Sequence, residues 1–302
     1  MVGLPFVDAH FHLWDLGRIR YPWLSPPFSD DGPNGSVEPI ARNYLPADYR
    51  GDLEAWHLAG AVHVEAGADP SAALEETRWL QGLADAYGIP DAIVAFASLE
   101  SPDAERMLEA QAAHRSVRGI RQIVNWHRDA ARSYTPRDLT IDPAWQAGFG
   151  LLARFGLSFD LQCYPSQMTA MAALIARHPD TVVIVNHAGM PIDDDSNGRE
   201  VWREGMRALS ALPNVCVKLS GFGLAKRDWT RDSIAPIILE SIVMFGTERC
   251  MFATDVPTDK LFGSVDIHLA AYHAIVAGFS EDERLDLFAR NAIRHYRLDL
   301  TV

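Results

Sequence analysis

Eight short apolar runs recur along the chain, at 6–12, 60–65, 92–99, 117–123, 158–163, 182–189, 215–221 and 250–255, with stretches of helical spacing between them. Several runs are almost continuously apolar or β-branched, the pattern of parallel strands covered on both faces. The helical stretches include 71–86, where Ser71 is the expected N-cap and Leu74, Leu80 and Leu83 fall on one face. Others are 167–177, 200–212, 233–245 and 281–296, the last behind an expected N-cap at Ser280. Strand and helix alternating eight times predict an α/β chain folded as a single (β/α)8 TIM barrel over residues 1–302. A doubly wound open sheet is the competing architecture. It would bring a glycine-rich first turn, and Asp8-Ala9-His10-Phe11-His12-Leu13 is not one.

The first connection, 13–50, is rich in Pro, Gly, Asp and Trp and is too long for an ordinary βα loop. Its aromatic content, with Tyr21-Pro22-Trp23-Leu24 at the centre, predicts a packed cover over the barrel mouth. Trp14 and Trp23 are placed to pack this loop down or to stack on a substrate ring, whereas Trp79, Trp145 and Trp202 lie in helical stretches and are expected to pack.

Barrel enzymes carry their chemistry at the C-terminal ends of the strands. The residues ending the eight runs are His10 and His12, Glu65, Glu100, Arg121 and Gln122, Gln162 and Tyr164, His187, Lys218 and Ser220, and Asp255. His10 and His12 are two apart on a strand, so both rings share one face and can offer nitrogens to one cation. A lone histidine there would be read as an ordinary core residue; a pair in register shifts the balance. Asp255, alone, would be a turn residue before Pro257. His187 suits a ligand or a proton carrier.

Three motifs extend this reading: the HxH of His10-Phe11-His12, Val185-Asn186-His187-Ala188-Gly189, and Phe252-Ala253-Thr254-Asp255-Val256-Pro257. In this order they resemble the amidohydrolase superfamily, specifically its amidohydrolase-related branch of lactonases and decarboxylases. Arg118-Gly119-Ile120-Arg121-Gln122 and Val217-Lys218-Leu219-Ser220-Gly221 add to the likeness, which spans nearly the whole chain. The resemblance implies that His10, His12, His187 and Asp255 are metal-site residues, with Asp255 the general base and His187 its catalytic companion. Binuclear members carry a bridging residue on the fourth strand and a histidine on the fifth. Arg121-Gln122 and Gln162 stand there instead, so at most one divalent cation is expected, zinc first, with a metal-free reaction as the alternative.

Arg121, Gln122, Trp126, His127, Gln162, Tyr164 and Lys218 are the expected substrate contacts, and Glu65 is expected to orient a histidine or pair an arginine from behind. His63 reads as structural. The predicted activity is hydrolysis of a sugar-acid or cyclic carboxylic-acid lactone. A metal-dependent decarboxylase and a non-catalytic small-molecule binding protein are the alternatives. A net charge of -13 argues against a nucleic-acid partner. No apolar run approaches the roughly 18 residues of a membrane span. The three separated cysteines, Cys163, Cys216 and Cys250, form no paired framework, which fits a reducing, cytoplasmic setting. Assembly into a homo-oligomer is compatible with the sequence but not written in it.

Overall fold

The computed structural model describes residues 3–193 and 196–302. Eight parallel strands form one sheet in chain order: β1 (Phe6–Phe11), β2 (Leu58–Val64), β3 (Ala92–Phe96), β4 (Val117–Arg121), β5 (Ser158–Leu161), β6 (Val183–Val185), β7 (Val215–Leu219) and β8 (Cys250–Phe252). The sheet closes between β8 and β1 through a parallel bridge of Phe11 with Val256. His12 N donates to Val256 O at 2.7 Å, and Asp255 N donates to His10 O at 2.8 Å. The expected TIM barrel is the observed fold, and the hydrogen bonds that close it run through the backbone of the candidate site.

Val7, Ala9, Val62, Val64, Val94, Ile184, Cys216, Met251 and Ala253 pack together in the barrel interior, with Tyr296 of the last helix below them. A second, larger layer lies between the strands and the helices. Trp145, Phe149 and Phe159 meet there at ring separations of 5.4–5.7 Å, each large side chain contributing about 1.5–3 kcal/mol by burial. Trp79, Trp145 and Trp202 are all buried as expected, and the three cysteines are buried and unpaired. Among the described residues, no helix is long and apolar enough to cross a membrane.

Two helix starts differ in their outcome. Ser280 caps as expected, its hydroxyl accepting from Glu283 N, although a π turn at Asp286–Arg290 interrupts the helix that follows. Ser71 is not a cap. Asp69 accepts from both the Ser71 amide (3.1 Å) and its hydroxyl (2.7 Å), so Pro70–Ala72 forms a 3-10 turn and the helix begins at Ala73. The upstream carboxylate captures the serine's own amide and hydroxyl hydrogens, which places Ser71 inside a tight turn rather than at the head of the helix.

In that helix Glu76 is 1% exposed and accepts from Ala66 N at 3.2 Å. Burial, with Glu65 adding to it, pushes its carboxyl up to about 8. The folded value lies above the ordinary one, so the unfolded chain releases this proton first as pH rises. The group's contribution to stability is therefore whole below about pH 4.5 and is lost as pH climbs through about 8. Glu76→Gln is expected to remove that loss. Its melting temperature should exceed the parent's by several degrees at about pH 8, and by much less at about pH 5. An advantage equal at both pH values would refute the assignment.

Candidate active site

The site begins with an irregularity in β1. Asp8 pairs with Ala61 and Phe11 with His63, so three residues of β1 span two of β2. This extra residue changes the strand's parity. Asp8 turns outward to Thr254 and Tyr49, accepting from Thr254 N (2.9 Å), Thr254 Oγ1 (2.5 Å) and Tyr49 OH (3.0 Å). His10 and His12 then face the barrel axis together, their ring centroids 4.9 Å apart, while Phe11 stacks outward on Tyr49 at 4.1 Å.

His187 and Asp255 both follow their strands in the left-handed backbone region, at φ 55° and 56°. Non-glycine residues seldom adopt it, and those that do concentrate at functional sites. Neighbours hold the bend at His187. Trp202 Nε1 donates to Ala188 O at 2.8 Å, and the His187 ring lies against Gly221, where a Cβ would fall 2.3 Å from Nδ1. Gly221 is itself at φ 63°, so glycine is required twice over. Ser220 Oγ is 3.1 Å from His187 Nδ1.

These bends converge. Asp255 Oδ1 lies 3.3 Å from His10 Nε2 and 3.2 Å from His12 Nε2, and the His10 and His187 ring centroids are 4.8 Å apart. Burial and the positive charge of Lys218 hold His10 well below the usual imidazole range. Burial and then Arg121 bring His12 down to about 3; burial brings His187 to about 4 against the pull of Asp255. All three rings are therefore neutral near pH 7. The Asp255 carboxyl is raised by burial, with His187 the strongest opposing influence.

Above them is a cavity of about 220 Å³. His12, Arg121, Gln162, His187 and Asp255 form its polar floor, and Trp23, Asn34, Tyr134 and Leu224 are among its walls. Arg121 Nε donates to Glu65 Oε1 at 2.7 Å, Nη2 donates to Glu65 O, and Nη1 donates to Gln162 Oε1 at 3.0 Å. Glu65 thus pairs the arginine from behind. The cover loop supplies Trp23, whose Nε1 donates to Ala66 O at 2.7 Å, and Asn34, which accepts from Tyr134 OH. Trp14 packs beneath the loop instead, donating to Arg42 O at 2.7 Å.

A family model described as amidohydrolase matches residues 7–298. The chain belongs to the amidohydrolase family. Uncharacterized protein y4mH of Sinorhizobium fredii is 42% identical over 99% of this chain and 100% of its own length. The L-fucono-1,5-lactonase of Burkholderia multivorans is 28% identical over 98% of this chain and 97% of its own. A crystal structure of an amidohydrolase from Burkholderia multivorans with bound zinc is 26% identical, covers 97% of this chain and 99% of that one, and superposes with a TM-score of 0.80. These likenesses place the chain in the amidohydrolase-related branch.

A cation fits this amidohydrolase site on its own chemistry. The ligand atoms of His10, His187 and Asp255 lie within 4.8 Å of one another, all buried. His12 Nδ1 is 2.7 Å from Val64 O and can only donate there, so its Nε2 is a bare lone pair facing Asp255 Oδ1. Two acceptors so close need a shared proton or a cation between or beside them, and among the described residues Asp255 Oδ2 is buried without a partner. His12 was expected as a fourth ligand. Among the described residues it stands outside the group of three and faces the same carboxylate from the side. The Arg121 guanidinium, 3.4 Å from His10 Nε2, sets a fixed positive charge beside that group of three.

Four expected substrate contacts are placed elsewhere, and a fifth is out of reach. Gln122 Oε1 accepts from Leu99 N and Trp145 Nε1 while its amide donates to Glu100, which consumes the side chain in packing. Trp126, His127 and Tyr164 line a neighbouring cavity with Ile192 and Val201. The ring of Tyr134, 6.4 Å from that of Tyr164, is a wall of the cavity above Asp255 and absent from the lining of the neighbouring one. Lys218 is wholly buried below the floor, its ammonium 2.5 Å from Asp160 Oδ2. Conversely Asn34 and Tyr134 from loops, Leu224 from the short helix Phe222–Ala225 and Thr258 from a 3-10 turn line the site cavity, in segments too short to carry a periodic signal.

Proposed function

We propose that this amidohydrolase is a lactonase, opening a sugar-acid or cyclic carboxylic-acid lactone by base-assisted attack of water. The observation that carries the reading is Asp255 Oδ2, a carboxylate oxygen with no partner among the described residues, on the floor of a cavity sized for one small ring. The likeness to an L-fucono-1,5-lactonase supports the same bond type.

In this reaction Asp255 takes a proton from the attacking water as the new C–O bond forms. It returns the proton to the ring oxygen as the ester C–O bond breaks, giving the open hydroxy acid. Arg121 provides fixed positive charge beside the developing oxyanion, held in place by Glu65 and Gln162 so that little reorganisation is needed. Trp23 and Tyr134 exclude bulk water and offer flat faces to a ring. A divalent cation held by His10, His187 and Asp255, zinc being the one we expect, would add Lewis acidity toward the carbonyl. Among the described lining residues Arg121 is the one cation, and it is already bonded to Glu65 and Gln162. A decarboxylase would have to fix the departing carboxylate and also protonate the carbon it leaves, and no further acid among the described lining residues is set aside for that step.

The test is a panel of aldonolactones and cyclic ester acids, followed by acid release at controlled pH, with metal analysis of the same preparation. Ring opening of at least one neutral sugar lactone is expected, lost on complete chelation and restored by Zn²⁺ or Mn²⁺. Activity that survives chelation would assign the reaction to the side chains alone. CO₂ release from aromatic acids with no lactone opened would overturn the proposal.

A further inference from the structure

Below the cavity floor, His10 of β1, Asp160 of β5 and Lys218 of β7 meet in the barrel interior. The Lys218 Nζ lies 2.5 Å from Asp160 Oδ2 and 3.3 Å from His10 Nδ1, and the lysine is 0% exposed. Tyr296 OH donates to Asp160 from the other side at 2.9–3.0 Å, and its ring centroid is 5.1 Å from the ammonium. Burial lowers the lysine's pKa and Asp160 opposes that shift. A carboxylate already fixed by a tyrosine, together with an aromatic face, favours the ammonium form.

An ammonium has hydrogens to offer and no lone pair. His10 Nδ1 must then accept, and the neutral ring carries its one proton on Nε2. That nitrogen is the one facing Asp255 Oδ1 at 3.3 Å. Arg121 Nη1, 3.4 Å from the same nitrogen, is also donor only, but it is already directed at Gln162 Oε1 at 3.0 Å, so Asp255 Oδ1 is the acceptor left for the His10 proton.

We infer that Lys218 is a positioning residue that holds His10 in the Nε2–H tautomer, aims that proton at Asp255, and so weakens divalent-cation binding by His10, His187 and Asp255. The inference rests on our reading of those three residues as the cation site. A ligating ring must present a bare nitrogen. For Nε2 to do so, the ring proton has to move to Nδ1, where it would point straight at the ammonium 3.3 Å away. That rearrangement subtracts from cation affinity. In the metal-free enzyme the same proton fixes Asp255 Oδ1 and leaves Oδ2 for water, so one lysine favours the base and opposes the ion.

The closing experiment removes both buried charges at once, Lys218→Met with Asp160→Asn, so that neither is stranded and Tyr296 can still donate to the new amide. The Zn²⁺ dissociation constant of chelator-stripped protein is measured at fixed pH by competition with a chelating indicator, and thermal unfolding checks the fold. The variant is expected to bind Zn²⁺ at least about ten-fold more tightly than the parent. Equal or weaker binding, or no binding by either protein, overturns the inference. A readout on the parent alone guards against a variant that fails to fold: two-bond ¹H–¹⁵N histidine spectra, with His10 assigned by His10→Asn, should show the Nε2–H pattern. An Nδ1–H pattern would also overturn it. Neither measurement uses lactone turnover, so an inactive lactone panel beside a tightened zinc site would sink the proposed function and leave the role of Lys218 standing.

Discussion

Asp255→Asn is expected to lower kcat/KM for lactone opening by about 10³-fold or more, since general-base catalysis contributes about 10²–10⁴-fold and Asn cannot take a proton. The choice of asparagine matters. Residue 255 sits at φ 56°, a conformation that asparagine tolerates better than most residues, so the bend after β8 is kept. The carboxylate is also one that burial disfavours, as its raised pKa indicates. Removing its charge should therefore leave the melting temperature unchanged or higher while turnover collapses. Opposite signs for stability and activity mark a group retained for chemistry at a cost to folding. A stable variant with undiminished kcat would remove Asp255 from the role of base, and a variant that merely unfolds would show up in the thermal melt.

The sequence carried the barrel because its signal is physical and repeated. Strands covered on both faces must be apolar throughout, and eight such runs leave few architectures. The same logic could not say where each strand ends. The run 182–189 is read as strand, yet β6 stops at Val185, because His187, Ala188 and Met190 turn into the left-handed region. Backbone reversals held by Trp202 and Gly221 are tertiary effects, invisible in a run of small apolar residues.

Parity along the strands was more informative. His10 with His12 was legible, and Asp160 was available by the same rule: a carboxylate two residues before Gln162 on an interior strand face needs a partner, and Lys218 is one. Gln122, one residue beyond Arg121, turns to the outer layer and is spent on Trp145. Trp126, His127 and Tyr164 lie past their strands, where parity no longer applies, and they line the neighbouring cavity. Asn34 and Tyr134 meet across 100 residues of sequence, and no local pattern announces such a pair.

Arg121 is placed for both a structural and a catalytic role, and a double-mutant cycle separates them. It is 4% exposed and bonded to Glu65, a buried ion pair. Glu65→Leu strands the guanidinium and should cost about 3–5 kcal/mol of stability. Arg121→Met strands Glu65, whose remaining support includes the Gly67 amide at 2.8 Å, and should cost a similar amount. The double variant has no charge to strand. It is expected to recover to within about 1 kcal/mol of the parent, since buried ion pairs are often replaceable by apolar groups without net loss. Activity should not follow stability. If the guanidinium stabilises the oxyanion, the double variant stays about 10²-fold or more below the parent in kcat/KM although its fold is restored. Recovery of turnover together with stability would assign Arg121 to the framework alone and move oxyanion stabilisation to His187 or a bound cation. Thermal melts and lactone kinetics on the same four proteins decide between these outcomes, because only the catalytic role predicts that the two readouts part company.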